Sequence, residues 1–282
     1  MRGRRRLLRT LLVNIIGWGL ALMWISPFVG LVMAAVRPIS EIIYGWWSFG
    51  EFHFTLSNFI NAWTGGLSTY PLSVGVRNSL IIATASTVIP LAAGSLAAYA
   101  FARFTFPLKN ALFAVIAVLM AIPQMMVAIP LFLLMDKLGL LDTYVGLILL
   151  HSAWGTPWII LFLRNFFITL PKELEESAKV DGATDFQIFF KIILPVSLPA
   201  ILSVIALQFT WVWNDFFYAL LTIISPEKYV ATQCIVWMKG EYHTPWGLIS
   251  AGSIITMAFP VAVFFLLQRY YIKGMIGWMV KG

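Results

Sequence analysis

Residues 169–195 read Thr169-Leu-Pro-Lys-Glu-Leu-Glu-Glu-Ser-Ala-Lys-Val-Asp-Gly182, then Ala183-Thr-Asp-Phe-Gln-Ile-Phe-Phe-Lys-Ile-Ile-Leu-Pro195. Pro171 suits the first position of a helix, where no amide donor is needed. Glu173, Glu175 and Glu176 crowd the positive end of that helix, and Lys179 lies nearer its negative end. Gly182 fits the left-handed residue that closes it. A second helix starts at once, because Thr184 followed by Gln187 makes a capping box, and Pro195 is expected to stop it. Phe186, Phe189, Phe190, Ile192 and Ile193 make this second helix nearly all apolar. On the first, Leu174, Ser177, Ala178 and Asp181 share a face with small residues at its centre and a charge at its end. Such a face suits insertion into a cleft on another protein. A solvated amphipathic loop accounts for the same residues equally well.

Working outward, the rest of the chain is far too apolar for a soluble fold. Sixty per cent of the 282 residues are hydrophobic and 11% are charged, against about 25% charged in an ordinary soluble domain. Six segments carry the roughly 20 apolar residues that a membrane helix needs: 11–36, 76–101, 111–135, 145–167, 198–224 and 248–271. The arginine-rich start resembles the head of a signal peptide, but the apolar run behind it is too long for one. It is read as an uncleaved first span. The fold class is therefore all-α, a polytopic membrane protein with six transmembrane helices and a two-helix loop between the fourth and fifth.

With the N-terminus inside, fourteen of the 19 Lys and Arg residues fall on one side. The positive-inside rule makes that side, with both termini and the 169–197 loop, cytoplasmic. The net charge of +7 points to headgroups rather than nucleic acid, because the basic residues form no stripe with stacking aromatics. The outer segment from Arg37 to about Gly75 is rich in aromatics, including Trp46, Trp47 and Trp63. An interfacial belt with a short surface helix, or a contact for an external partner, would each use them. By this division residues 1–75 hold the basic tail, first span and outer segment, and 76–282 hold the core.

Pro90, Pro123, Pro130, Pro157 and Pro260 lie inside spans, either as packing kinks or as breaks lining a pathway. Asp215 is the one carboxylate clearly inside a span. It stands beside Asn214 among Phe209, Trp211, Trp213, Phe216, Phe217 and Tyr218. An intramembrane ionisable group is a functional candidate, and aromatic faces beside amide and carboxylate groups suit sugars. Fixing a helix break is the other role open to Asn214 and Asp215. Gln124 and His151 are polar and mid-span, with the same two roles open. No G-x-x-x-x-G-K-[ST] phosphate loop and no H-E-x-x-H occurs, and Cys234 is the sole cysteine. An ion-coupled transporter would call for an inverted repeat and charged relays, and only Asp215 answers.

Glu176-Ser177-Ala178, Gly182, Ile192 and Leu194-Pro195 have the spacing of the "EAA" loop of ABC-importer permeases, with Ser177 where alanine is usual. Asn78-Ser-Leu, Ala98-Tyr-Ala-Phe-Ala-Arg-Phe104, Ile122-Pro, Ile129-Pro-Leu131, Trp213-Asn-Asp-Phe216 and Gln268-Arg-Tyr extend the likeness over residues 10–282. The chain resembles the carbohydrate branch of that family, in particular the second permease of maltose-type importers, with the type I importer fold. The resemblance implies a homologous second permease, two cytoplasmic ATPase subunits and an external solute-binding protein, all working among membrane lipids. It implies no cofactor in this chain, ATP and magnesium being held by the ATPase. Glu173, Leu174, Glu176, Ser177, Ala178, Asp181, Gly182, Phe186, Leu194 and Pro195 would couple to that ATPase. Asn214, Asp215, Trp211, Trp213 and Gln124 become candidates for the translocation pathway, and Lys239, Glu241 and Tyr242 for the binding-protein contact. Sugars of several lengths, or glycerol phosphate, would suit such a permease.

Overall fold

The computed structural model describes residues 2–43, 45, 47, 50, 52–66, 70–240 and 244–279, with side chains between residues 9 and 268. All regular structure among the described residues is helical. In chain order the helices are α1 (Arg2–Ala35), α2 (Ile39–Ile42), α3 (Ser57–Thr64), α4 (Leu72–Arg103), α5 (Lys109–Ala121), α6 (Ala128–Lys137) and α7 (Tyr144–Ile168). They continue with α8 (Glu173–Val180), α9 (Asp185–Ile188), α10 (Leu194–Val196), α11 (Leu198–Trp213), α12 (Phe217–Thr222), α13 (Ala231–Trp237) and α14 (Trp246–Met279). Among the described residues four stretches are long and apolar enough to cross a bilayer unbroken: Arg9–Ala35, Leu72–Arg103, Tyr144–Ile168 and Trp246–Gln268. Two bent pairs, each counted as one span, bring the candidate spans among these residues to as many as six.

The breaks have local causes. The segment 111–135, read from sequence as one span, bends by 93° between α5 and the helical turn beginning at Gln124. Pro123 has no amide to donate, and it pushes Ile122 into an extended conformation (φ −73°, ψ 118°). Pro90, Pro157 and Pro260 instead sit within continuous helices. Pro195 stands one residue before the end of its helix. A π turn over Phe189–Ile193 precedes it, the helix runs on to Val196, and the 76° bend follows at Ser197. A π turn is one way in which a helix absorbs a proline's missing donor. The segment 198–224 is likewise interrupted, with Asn214–Phe216 between α11 and α12.

The chain separates into two units, residues 1–73 with 235–257 and residues 74–234 with 258–282. The stretch 235–257 thus groups with the N-terminal part, not with the rest of 76–282. In the first unit Asn58 explains part of this, since an added Cβ on Gly247 would lie 2.6 Å from its Nδ2. The same amide donates to the carbonyls of Ala35 and Arg37, both at 3.0 Å. Arg37 is buried and pairs with Glu41 at 2.8 Å, while the His53 amide also donates to Glu41.

In the second unit the apolar core joins Ala98 and Tyr99 of α4, Ile159, Leu163 and Phe167 of α7, and Ile188, Phe189, Ile193, Ala200 and Val204. The one-turn spacing of Ile159, Leu163 and Phe167 puts all three on one face of α7. In lipid such packing rests on close fit more than on exclusion of water. Gly94 supplies the fit, because a Cβ there would meet Ile159 Cγ2 at 2.8 Å. At the other end of this unit, Asn78 donates to the carbonyls of Glu227 and Tyr229, each at 2.9 Å, and accepts from Tyr144. Asp142, with φ of 54°, accepts from the amides of Ile224 and Ser225, the Ser225 hydroxyl and Lys228.

Candidate functional site

Two places in the second unit gather the residues that the sequence singles out. The first is the α8–α9 turn. Gly182 closes α8 with φ of 82° and open space where a Cβ would stand. Thr184 and Gln187 form the capping box of α9 in both directions, at 3.3 and 2.9 Å. Lys179 bridges the turn to Asp185 at 2.9 Å, and that hydrogen bond raises its pKa.

Burial divides the turn sharply. Ile188, Phe189 and Ile193 face the core, and Ala178 and Leu194 pack partly against it. Glu173, Leu174, Glu176, Ser177, Asp181, Gly182, Phe186 and Pro195 are exposed. Phe186 is 65% exposed and Val180 88%, an unusual state for large apolar side chains on a solvated loop. A hollow of about 320 Å³ lies beside them, lined by Asp181, Gly182, Ala183, Gln187 and Lys191 among others.

One charge of α8 turns inward. Glu175 is buried, accepts from Arg103 Nε, and accepts from Tyr99 Oη at 3.1 Å. Arg103 also donates to the Leu170 carbonyl at 3.0 Å. These three side chains fasten α8 to the end of α4. Sequence reasoning placed Glu175 only among the acidic residues at a helix start. The available signal was the one-turn spacing of Tyr99 and Arg103 in the Ala98–Phe104 motif.

The second place is a cavity of about 390 Å³ within the membrane-spanning helices. Trp154 and Trp158 of α7 and Trp211 of α11 line it, together with Met120, Ile122 and Gln124 at the broken third span. Trp158 Nε1 donates to Gln208 Oε1 at 2.7 Å, and Gln208 Nε2 donates to the Ser86 carbonyl at 3.0 Å. Trp154 stacks on Tyr218, with centroids 6.4 Å apart, and Trp211 meets the edge of His151. His151 Nε2 lies 3.4 Å from Asp215 Oδ2. Asp215 in turn accepts from the amides of Tyr218 and Ala219 and so caps α12. Asn214 is exposed at the end of α11. Trp213 is buried, stacked between Phe209 and Phe259. Trp154 and Trp158 were not singled out from sequence, although they too stand one turn apart. In the first unit Lys239 is exposed, whereas Glu241 and Tyr242 lie outside the described residues.

Residues 90–277 match the family described as "Binding-protein-dependent transport system inner membrane component". The chain belongs to this family of permeases. The permease is 52% identical to a "Probable ABC transporter permease protein" of Pyrococcus horikoshii, over 97% of this chain and 98% of that one. It is 40% identical to the "Alpha-glucoside transport system permease protein" AglG of Rhizobium meliloti, over 81% of this chain and 61% of that one. Its fold resembles a chain of a solved bacterial ABC transporter "involved in the import of the acidic polysaccharide alginate". The TM-score is 0.78 at 21% identity, over 92% of this chain and 95% of that chain. The permease therefore has the importer fold, with the exposed α8–α9 turn at the place where the EAA spacing was read.

Proposed function

We propose that this permease is one half of the translocation pathway of a carbohydrate importer and is driven through the α8–α9 turn. A homologous second permease completes the pathway, two ATPase subunits sit on the cytoplasmic side, and an external binding protein delivers the solute. Both termini then lie in the cytoplasm, a placement that the distribution of Lys and Arg supports. The chain does no catalysis itself, and ATP is hydrolysed by the partner ATPase.

The observation that carries this reading is the division of burial at the turn. The core holds Ile188, Phe189 and Ile193, while Glu176, Ser177, Gly182 and Phe186 stand at the surface. Small residues beside exposed apolar ones suit a helix seated in another protein's groove. The α-glucoside and alginate transporters among the similar proteins support a sugar as solute, as do the three indoles around the membrane cavity.

The docking role is tested by Glu176→Lys and Gly182→Val in the assembled complex. ATPase association and solute uptake should fall together while membrane insertion stays normal. Unchanged assembly and uptake in both variants would remove the docking role. The solute class is tested separately, by binding of a sugar panel to the cognate external protein.

A further inference from the structure

We propose that this chain carries a sugar-ring site of its own inside the membrane, formed by Trp154, Trp158, Trp211 and Gln124. The inference rests on the carbohydrate reading above and deepens it. A pyranose presents flat faces of C–H bonds and an edge of hydroxyls. Its complement is an aromatic wall with a few polar groups, in a space matched to its size. The cavity of about 390 Å³ falls in the range of about 300–1,000 Å³ usual for small-molecule sites.

The walls are fixed before anything binds. The hydrogen bond to Gln208 sets the plane of Trp158, and Gln208 is itself buried and held by the Ser86 carbonyl. Tyr218 backs Trp154, and His151 backs Trp211. Side chains locked from behind in this way lose little freedom on binding.

The broken third span decides between a sugar and a lipid tail as the occupant. Gln124 follows Pro123 directly, at the point where that span bends by 93°. Interrupted backbone at membrane depth is tolerated only where it is buried in protein or lines a watery cavity. The Ile122 amide and the Pro123 carbonyl are paired within the chain, but an acyl chain would offer no partner to the Gln124 side-chain amide. Water or hydroxyls would satisfy it as both donor and acceptor.

Cysteine chemistry tests the site in the complete importer. Cys234 is the sole cysteine of the chain and is buried, with its thiol pushed up to about 11 by that burial. Cys234→Ala with Gln124→Cys therefore leaves one reporter, followed by mass spectrometry of this chain. The importer is assembled with its partner subunits in vesicles and treated with a membrane-impermeant methanethiosulfonate. Glucose, maltose, trehalose, diacetylchitobiose and arabinotriose are each tested for uptake and for protection.

A panel sugar that is imported should slow modification of Gln124→Cys at least about tenfold at saturation. Trp158→Leu should raise the KM for its uptake by about tenfold. Met120→Cys, on the same cavity, replaces the reporter if Gln124→Cys does not assemble. Import of a panel sugar without protection overturns the site and leaves the carbohydrate reading intact. A reporter that never reacts shows a cavity closed by lipid or by the second permease, and also overturns it. If no panel sugar is imported, the carbohydrate reading fails and the site fails with it.

Discussion

Arg103, the last residue of α4, donates through Nε to the carboxylate of Glu175 in the first turn of α8, with both side chains over nine-tenths buried. A buried pair adds little over an apolar one, but losing one partner strands the other and costs about 3–5 kcal/mol. Glu175→Ala should therefore detach α8 from α4. In inside-out vesicles trypsin should cut faster at Lys172 and Lys179, and uptake should fall although the protein inserts normally. Exchanging the charges, Arg103→Glu with Glu175→Arg, should restore part of both. Unchanged cleavage in Glu175→Ala would mean that the core alone holds the helix.

Gly182 carries the turn that separates α8 from α9. No atom lies within 4 Å of the position that a Cβ would take, and φ is 82°. The cost of a side chain there is thus backbone strain alone, about 1–2 kcal/mol for an ordinary L-residue. Asn tolerates this region, so Gly182→Asn should assemble with the ATPase almost as well as the natural protein. Gly182→Val should not. The ratio of the two affinities reads the conformational requirement separately from sterics, and equal losses in both would point to crowding instead.

The α8–α9 turn was legible from sequence because its signals are local. A capping box, a positive-φ glycine and charges at the helix start each depend on neighbours within a few residues. The stop read at Pro195 falls within two residues of the bend at Ser197, but the π turn over Phe189–Ile193 ahead of it is not announced by its own sequence. The inward turn of Glu175 was hidden for a different reason. Its partners Tyr99 and Arg103 are more than 70 residues away, and nothing in the spacing of the glutamates says which one faces the bundle. Trp154 and Trp158 read as two more apolar residues until α11 brings Trp211 and Gln208 beside them.

Asp142 gives a pH dependence. Burial alone would raise its carboxyl, but hydrogen bonds from the Ser225 hydroxyl and amide, Lys228 and the Ile224 amide outweigh this and hold it well below the ordinary value. The folded protein then binds this proton less readily than the unfolded chain. The stabilisation is complete above the ordinary carboxylate pKa of about 4 and fades as pH falls below it. Thermal unfolding in detergent should show a midpoint that drops from about pH 4 downward. Asp142→Asn tolerates the positive φ but cannot pair with Lys228. Its midpoint should be lower at pH 7 and less sensitive to acid, and an equally steep acid response would assign the drop to other carboxylates.

Gly155 provides a test of how the cavity wall is held. An added Cβ would stand 2.5 Å from Gln208 Nε2 and 2.9 Å from Cδ. Gln208 is not free to step aside, since it binds Trp158 at one end and the Ser86 carbonyl at the other. Overpacking at such a point costs about 1–3 kcal/mol. Gly155→Ala should therefore lower the thermal midpoint and release Trp158 from its fixed plane. Adding Gln208→Ala removes the clash without restoring the hydrogen bond to Trp158. The double variant should recover much of the midpoint while sugar protection at Gln124→Cys stays weak, so stability and wall orientation separate. A single Gly155→Ala with the natural midpoint would show that α7 and α11 do not pack at this distance in the membrane.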